Sequence, residues 1–207
     1  MNMGSRDGWQ TPPMALTHLL YLHGFRSSPQ STKARQMAAR LAQDHPAVHW
    51  WCPALPASPR ESIEQVLRGT TDWPASQMGV VGSSLGGFYA TVVAQARGCK
   101  AVLLNPAVDP ARDLARHVGH HPLWHEPTQT FEFEPAFVGE LQALQPQVIT
   151  DPQRYYAIVA KGDEVLDWRE MVGRYPGAQI RLLEGSDHAL SDFDTHIDSV
   201  IQFLGLG

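Results

Sequence analysis

Only two cysteines occur in the 207 residues, Cys52 and Cys99. They have no metal-type spacing, and each abuts an apolar run, so both are expected as buried free thiols. Positive charge is also scarce: 16 Lys and Arg stand against 21 Asp and Glu, a formal charge of −5. That balance argues against nucleic acid or an anionic membrane as a partner. No apolar run approaches the length of a membrane span. No charged n-region followed by an apolar stretch marks a secretory signal, and a cytoplasmic location is expected by elimination. The glycine-rich turn at 82–87 is followed by no Gly-Lys-Ser/Thr and does not give G-x-G-x-x-G, so neither a P-loop nor a dinucleotide fingerprint is present there.

The chain has an ordinary globular composition, 43% apolar and 18% charged. Its length suits one domain with a sizeable core. Residues 1–15 are Gly/Pro/Gln-rich and aperiodic, which predicts a disordered extension. The rest, 16–207, is expected as a single domain. Apolar runs end at Leu22, Cys52, Val81, Leu104, Ala160 and Leu183, and helical patterns follow several of them. Strand followed by helix, six times over, predicts an α/β fold. The sheet is expected to be six-stranded, parallel and doubly wound, in the order 2-1-3-4-5-6, with helices on both faces.

Chemistry concentrates at Gly82-Ser83-Ser84-Leu85-Gly86, which matches G-x-S-x-G between the run Met78–Val81 and a helical pattern from Leu85. A nucleophile on a sharp strand-to-helix turn stands above the sheet with its hydroxyl exposed. Ser84 is the predicted nucleophile; Ser83 is not symmetrically flanked by glycine. His23-Gly24-Phe25 ends the first strand, where a loop can aim backbone N–H groups at the serine. The oxyanion donors are expected to be the N–H groups of Phe25 and Leu85. Asp163, just past the fifth strand, is the expected acid, with Asp167 in reserve. His188 follows the sixth strand in a glycine-containing loop and is the expected base. His196 competes, but lies inside the final helical pattern. The order Ser84, Asp163, His188 is that of the α/β-hydrolases.

Residues 108–150 differ in character and are expected to form a short lid. Trp124, Phe131, Phe133 and Phe137 are expected to fold together beside Ser84 as an apolar wall. His23, Gly24, Trp124 and Phe133 are the candidate substrate-binding residues. His117 and His121 could share a helix face, as zinc ligands do, but no recognised spacing is completed. They are read as solvated lid histidines, alongside His120 and His125. No metal and no organic cofactor is expected.

Several segments together resemble the YqiA/YcfP-like family of small bacterial α/β-hydrolases. They are Leu20-Tyr21-Leu22-His23-Gly24-Phe25 with Ser27-Ser28-Pro29, Val80 to Gly87, Asn105-Pro106-Ala107-Val108, Gly162 to Asp167, and Asp187-His188-Ala189. The resemblance implies an esterase-like hydrolase with Ser84, Asp163 and His188 as its triad. The expected reaction is cleavage of small to medium acyl esters through an acyl-enzyme, by a monomer or small homo-oligomer. A thioesterase would use the same triad, with Arg26, Lys33 and Arg35 meeting phosphates of a carrier. A non-catalytic binding protein on the same scaffold is the alternative from another class.

Overall fold

A computed structural model describes residues 15–124 and 127–207. The extension expected over 1–15 lies outside them apart from Ala15, as does His125. In chain order the elements are β1 (His18–Leu22), α1 (Thr32–Asp44), β2 (His49–Trp51), α2 (Pro59–Gly69), β3 (Met78–Ser83), α3 (Leu85–Arg97) and β4 (Lys100–Leu104). There follow α4 (Pro110–Leu114), β5 (Gly119–Pro122), β6 (Thr130–Phe133), α5 (Pro135–Leu144), β7 (Tyr155–Ala160), α6 (Trp168–Arg174), β8 (Gln179–Leu183) and α7 (Ile197–Leu204).

Six strands make one sheet in the order β2-β1-β3-β4-β7-β8, every neighbour parallel. Counting the strands of this sheet alone, that is the expected 2-1-3-4-5-6. The central strands are buried along their full length in β3 and β7. This is why they read as unbroken apolar runs: a parallel sheet covered on both faces has no solvent side for polar residues. Alternate side chains then divide between two cores. Leu20, Leu22, Val80, Leu103, Ala157 and Val159 pack with α2, α3, α5 and α6. Leu19, Tyr21, Val81, Val102, Ile158 and Ala160 pack with α1 and α7. Parallel pairing also brings the carboxyl ends to one edge: Leu22 stands opposite Gly82, Ser83 opposite Leu104, and Ala160 opposite Leu183.

Residue types suited to a helix start stand at α2. Ser58 accepts a hydrogen bond from the Glu61 N–H at 3.2 Å, and Pro59 occupies the first turn. A distant acid also reaches this helix start. Glu140 of α5 accepts from the Ser58 hydroxyl at 2.6 Å and from the Arg60 N–H at 3.1 Å. It stabilises the positive end of the helix from another element.

Between β4 and β7 the segment holds two short helices, α4, followed by a 3-10 turn, and α5. The antiparallel pair β5–β6 was not expected. Its strands are four residues each and rich in His, Glu and Pro. Period-two alternation survives only at Phe131 and Phe133, too short a signal to separate from loop. His117 ends the 3-10 turn and His121 lies in β5, so the two do not share a helix face. They are not fully solvated either: both rings lie against Phe25, at 5.9 and 5.5 Å between centroids. Packing on that aromatic ring overrides the polar reading of the histidines.

Candidate active site

Ser84 stands between β3 and α3 with φ 56° and ψ −121°, a region that residues other than Gly seldom occupy. The surrounding backbone enforces it. The Ser84 N–H donates to the Leu104 carbonyl at 3.0 Å, and the Ser84 carbonyl accepts from the N–H groups of Gly87 and Ala107 at 2.8 and 3.0 Å. The turn also needs α3 to approach β1 very closely. A Cβ on Gly86 would come within 2.0 Å of the Leu22 carbonyl oxygen, so no larger residue fits there.

His188 lies in the loop after β8. Its Nε2 is 3.0 Å from Ser84 Oγ and its Nδ1 is 2.8 Å from Asp163 Oδ2. A carboxylate only accepts, so Nδ1 carries the proton and Nε2 offers its lone pair to the serine hydroxyl. The Asp163 side chain is fully buried. Its second oxygen accepts from the N–H groups of Val165 and Leu166, both at 2.8 Å, so the carboxylate cannot swing away from the histidine. Asp167, the reserve, instead caps α6 by accepting from the Arg169 N–H at 2.8 Å. His196 is buried at the start of α7, 3.3 Å from Asp192.

Gly24 presses on the serine: a Cβ there would lie 3.3 Å from Ser84 Cβ. This brings the start of the Phe25 loop to the nucleophile. Leu85 is the first residue of α3, where N–H groups have no partner within the helix. Among the described residues, neither the Phe25 nor the Leu85 N–H donates to a protein acceptor. His23 has a structural task as well as lining the site. Its ring bonds the Gly24 carbonyl at 3.1 Å and accepts from the Leu55 N–H at 3.3 Å, tying β1 to the loop after β2. Burial lowers its pKa, only partly offset by the Gly24 carbonyl, which favours the neutral ring this bonding requires.

Two cavities meet at the 23–27 loop. One, of about 290 Å³, is bounded by Leu55, Leu85, Tyr89, Phe131 and Phe133. The other, of about 550 Å³, contains Ser84 and His188. The expected aromatic wall therefore needs a correction. Phe131 and Phe133 pack edge-on against Phe25 at 5.3 and 5.5 Å, and Phe133 meets Phe137 at 5.7 Å. Trp124 does not join them. It is 62% exposed at the rim of the larger cavity, with the Arg26 guanidinium 4.0 Å from the ring centroid. The cation covers one ring face, and the Trp124 backbone N–H donates to the Arg26 carbonyl at 2.9 Å, so the residue is held without burial of its indole. An open groove of about 600 Å³ between α4, α5 and α6 contains none of the three residues of the Ser84 chain.

Asn105 stands in one of the resembling segments, but nothing in the sequence assigns its side chain a role. Asn105 is fully buried with φ 41°. Its side-chain oxygen accepts from the Ala160 N–H at 2.8 Å, and its amide donates to the carbonyls of Asp187 and His188 at 2.9 and 3.2 Å. One side chain thus joins the ends of β4 and β7 to the loop that carries His188. Asparagine tolerates the left-handed region and carries both donor and acceptor, which explains the residue type. Replacing Asn105 by Ala orphans one buried and two half-buried backbone groups and should destabilise by about 2 kcal/mol, read by urea unfolding. A loss near zero would mean that the loop is held by other contacts. Glu164, also passed over, accepts from the His188 N–H at 3.0 Å.

The far wall of the larger cavity is polar. Tyr21, Ser31 and Gln36 line it, and the side-chain oxygen of each is buried without a hydrogen-bond partner. Such an orphan costs about 1–3 kcal/mol. Lys33 lines the same wall, and burial pushes its pKa down to about 8 against the opposing pull of Asp187. Both cysteines are free; Cys99 is buried as expected, whereas Cys52 is half-buried, and desolvation still pushes its thiol up to about 12.

A family model described as "Uncharacterised protein family (UPF0227)" matches residues 18–205. The chain belongs to this family, the YqiA/YcfP family that the motif segments resemble. Solved structures similar to this UPF0227 member include alpha/beta hydrolase domain-containing protein 10 from mouse. At 17% identity, it has a TM-score of 0.67 over 94% of this chain and 91% of that one. Est1E from Butyrivibrio proteoclasticus has 13% identity and a TM-score of 0.68, over 93% and 88% of the two chains. The esterase domain of a Rhodothermus marinus protein has 17% identity and a TM-score of 0.65, over 92% and 87%. The likeness is one of fold: this is an α/β-hydrolase sheet with its helices. Among the described residues, no helix is long and apolar enough to cross a membrane.

Proposed function

We propose that this protein is a serine hydrolase that cleaves carboxylic esters of small to medium acyl groups. The observation that carries the reading is the hydrogen-bonded line Ser84–His188–Asp163 at the carboxyl edge of the sheet. In the proposed reaction His188 takes the Ser84 proton as Oγ attacks the ester carbonyl, and Asp163 stabilises the imidazolium. The N–H groups of Phe25 and Leu85 hold the oxyanion; donors of this kind are worth about 3–4 kcal/mol each. His188 then protonates the departing alcohol. Water repeats the cycle on the acyl-enzyme and releases the acid. Each step moves one proton between oxygen and nitrogen, and the residues named supply every group required. Ester is favoured over carrier thioester by the basic residues: Arg26 is engaged by the Pro122 carbonyl at 2.9 Å and by Trp124, and Arg35 is exposed on α1.

A fluorophosphonate probe should label the wild-type protein at Ser84, with loss of nitrophenyl butyrate hydrolysis in step with labelling. Absence of both would favour the non-catalytic binding protein.

The acyl chain is assigned to the smaller cavity, because apolar side chains bound it. Its volume of about 290 Å³ suits a short chain. Phe133→Ala should shift the kcat/KM optimum toward longer acyl groups, each extra buried methylene contributing about 0.8 kcal/mol. Trp124→Ala should leave the chain-length profile unchanged, since Trp124 borders the other cavity. The check is a series of esters from acetyl to decanoyl; an unmoved optimum in a folded Phe133→Ala variant would refute the assignment.

A further inference from the structure

The ester reading leaves the alcohol half of the substrate unspecified, and the larger cavity addresses it. The histidine that protonates a leaving alcohol must stand beside the leaving oxygen. His188 lines the larger cavity and not the smaller one. The alcohol therefore belongs in the cavity whose far wall is polar.

Four features converge on that wall. Tyr21 is fully buried on β1, and its hydroxyl has no hydrogen-bond partner. The Ser31 hydroxyl neighbours it without meeting it in hydrogen-bond geometry. Ser31 occupies the cap position of α1, a helix of 13 residues, yet makes no side-chain cap, and no acid lies in the first turn. The positive end of that helix is thus left without a negative partner from its own sequence. Lys33, in the same turn, has one hydrogen bond among the described residues, to the Ala189 carbonyl. Its nearest acid, Asp187, is held by the Ser191 N–H at 2.9 Å and the Ser191 hydroxyl at 2.6 Å. Glu164, the acid that lines this cavity, accepts from the His188 N–H. Tyr21, Ser31 and Lys33 can each donate here, against the acceptors Gln36 Oε1 and Glu164, and an anion would take those three donors and the helix start together.

Resting on the ester reading above, we propose that the alcohol released by this protein carries an anionic group, carboxylate or phosphate. Lys33, Ser31, Tyr21 and the start of α1 receive it. Lys33 bonds the residue next to His188, so the anion sits within roughly 10 Å of the scissile bond, given about 3.8 Å between neighbouring Cα atoms. That reach suits a compact hydroxy acid or hydroxy phosphate. It does not suit a phosphate at the far end of a long carrier arm.

The test compares 4-(butyryloxy)benzoate with its neutral match 4-(butyryloxy)benzamide. The expected wild-type preference in kcat/KM is about tenfold or more for the anion, tenfold corresponding to about 1.4 kcal/mol. In Lys33→Met the ratio should fall toward one, and in Tyr21→Phe it should fall severalfold. Because each variant is read as a ratio of two substrates, a general loss of activity cancels. Replacing the carboxylate by phosphate, in 4-(butyryloxy)phenyl phosphate, tells the two anions apart. Calorimetric binding of 4-hydroxybenzoate to Ser84→Ala gives a readout independent of turnover. If neither ester is hydrolysed but the benzoate binds and Lys33→Met removes the binding, the ester reading fails and the anion site stands. If both esters turn over equally in wild type, or the preference survives both substitutions, the anion site is overturned.

Discussion

Alanine at position 84 is expected to lower nitrophenyl ester hydrolysis by about 10⁵–10⁶-fold, the scale seen when a triad serine is removed elsewhere. The reason is that the hydroxyl is the only group removed. The turn is held by backbone bonds to Leu104, Gly87 and Ala107 and by the close approach of α3 to β1. None of these needs the Ser84 side chain. Unfolding by urea should therefore shift by less than about 1 kcal/mol, a surface-like change. Ser83→Ala provides the contrast. Ser83 is buried at the end of β3 opposite Leu104, and no hydrogen bond joins it to His188. It should keep most of the activity. Substantial turnover by pure Ser84→Ala, free of wild-type contamination, would end the covalent mechanism.

The Asp163→Asn substitution should lower kcat by about 10⁴, as loss of the orienting aspartate does in serine proteases. The geometry explains the size. The asparagine oxygen could still accept from the N–H groups of Val165 and Leu166, so the loop would keep its shape. The amide nitrogen could then face His188 Nδ1, where the carboxylate had accepted. That contact favours the ring with its proton on Nε2, which faces Ser84 and can no longer take the hydroxyl proton. Asp167→Asn should retain activity, because asparagine also caps helices and Asp167 only accepts from the first turn of α6. Measuring kcat for both variants decides the assignment. A larger penalty at Asp167 would move the acid there and refute the reading of the Asp163–His188 bond.

The expected partners of the site were legible for different reasons. Ser84 was readable because a sharp strand-to-helix turn requires small neighbours, and Gly82 and Gly86 record that requirement. Asp163 and His188 were readable from position alone: each follows a strand, and parallel strands deliver their carboxyl ends to one edge. Asn105 also follows a strand and stands in one of the resembling segments, but nothing there marked its side chain as a bridge. Its neighbours in space, Ala160, Asp187 and His188, are distant in the chain, so a turn residue and a bridge between three elements look alike in sequence. The aromatic segment misled in part, because composition shows that rings need cover but not which atoms supply it. Trp124 is covered by Arg26, a residue far away in the chain.

Sequence by itself determined the parallel sheet, its strand order and the residues at its carboxyl edge. The strands and the edge residues follow from short-range rules: continuous apolar runs mark strands buried on both faces, and glycines mark close backbone approach. The strand order followed from the likeness to the α/β-hydrolases. Tertiary structure alone decided which side chains face one another across that edge. It separated an apolar cavity from a polar one and brought the start of α1 to the loop of His188. It also left Tyr21 and Ser31 beside Lys33 without partners. Cavities and unpaired polar atoms are properties of surfaces contributed by several elements, and no local pattern in a chain encodes them.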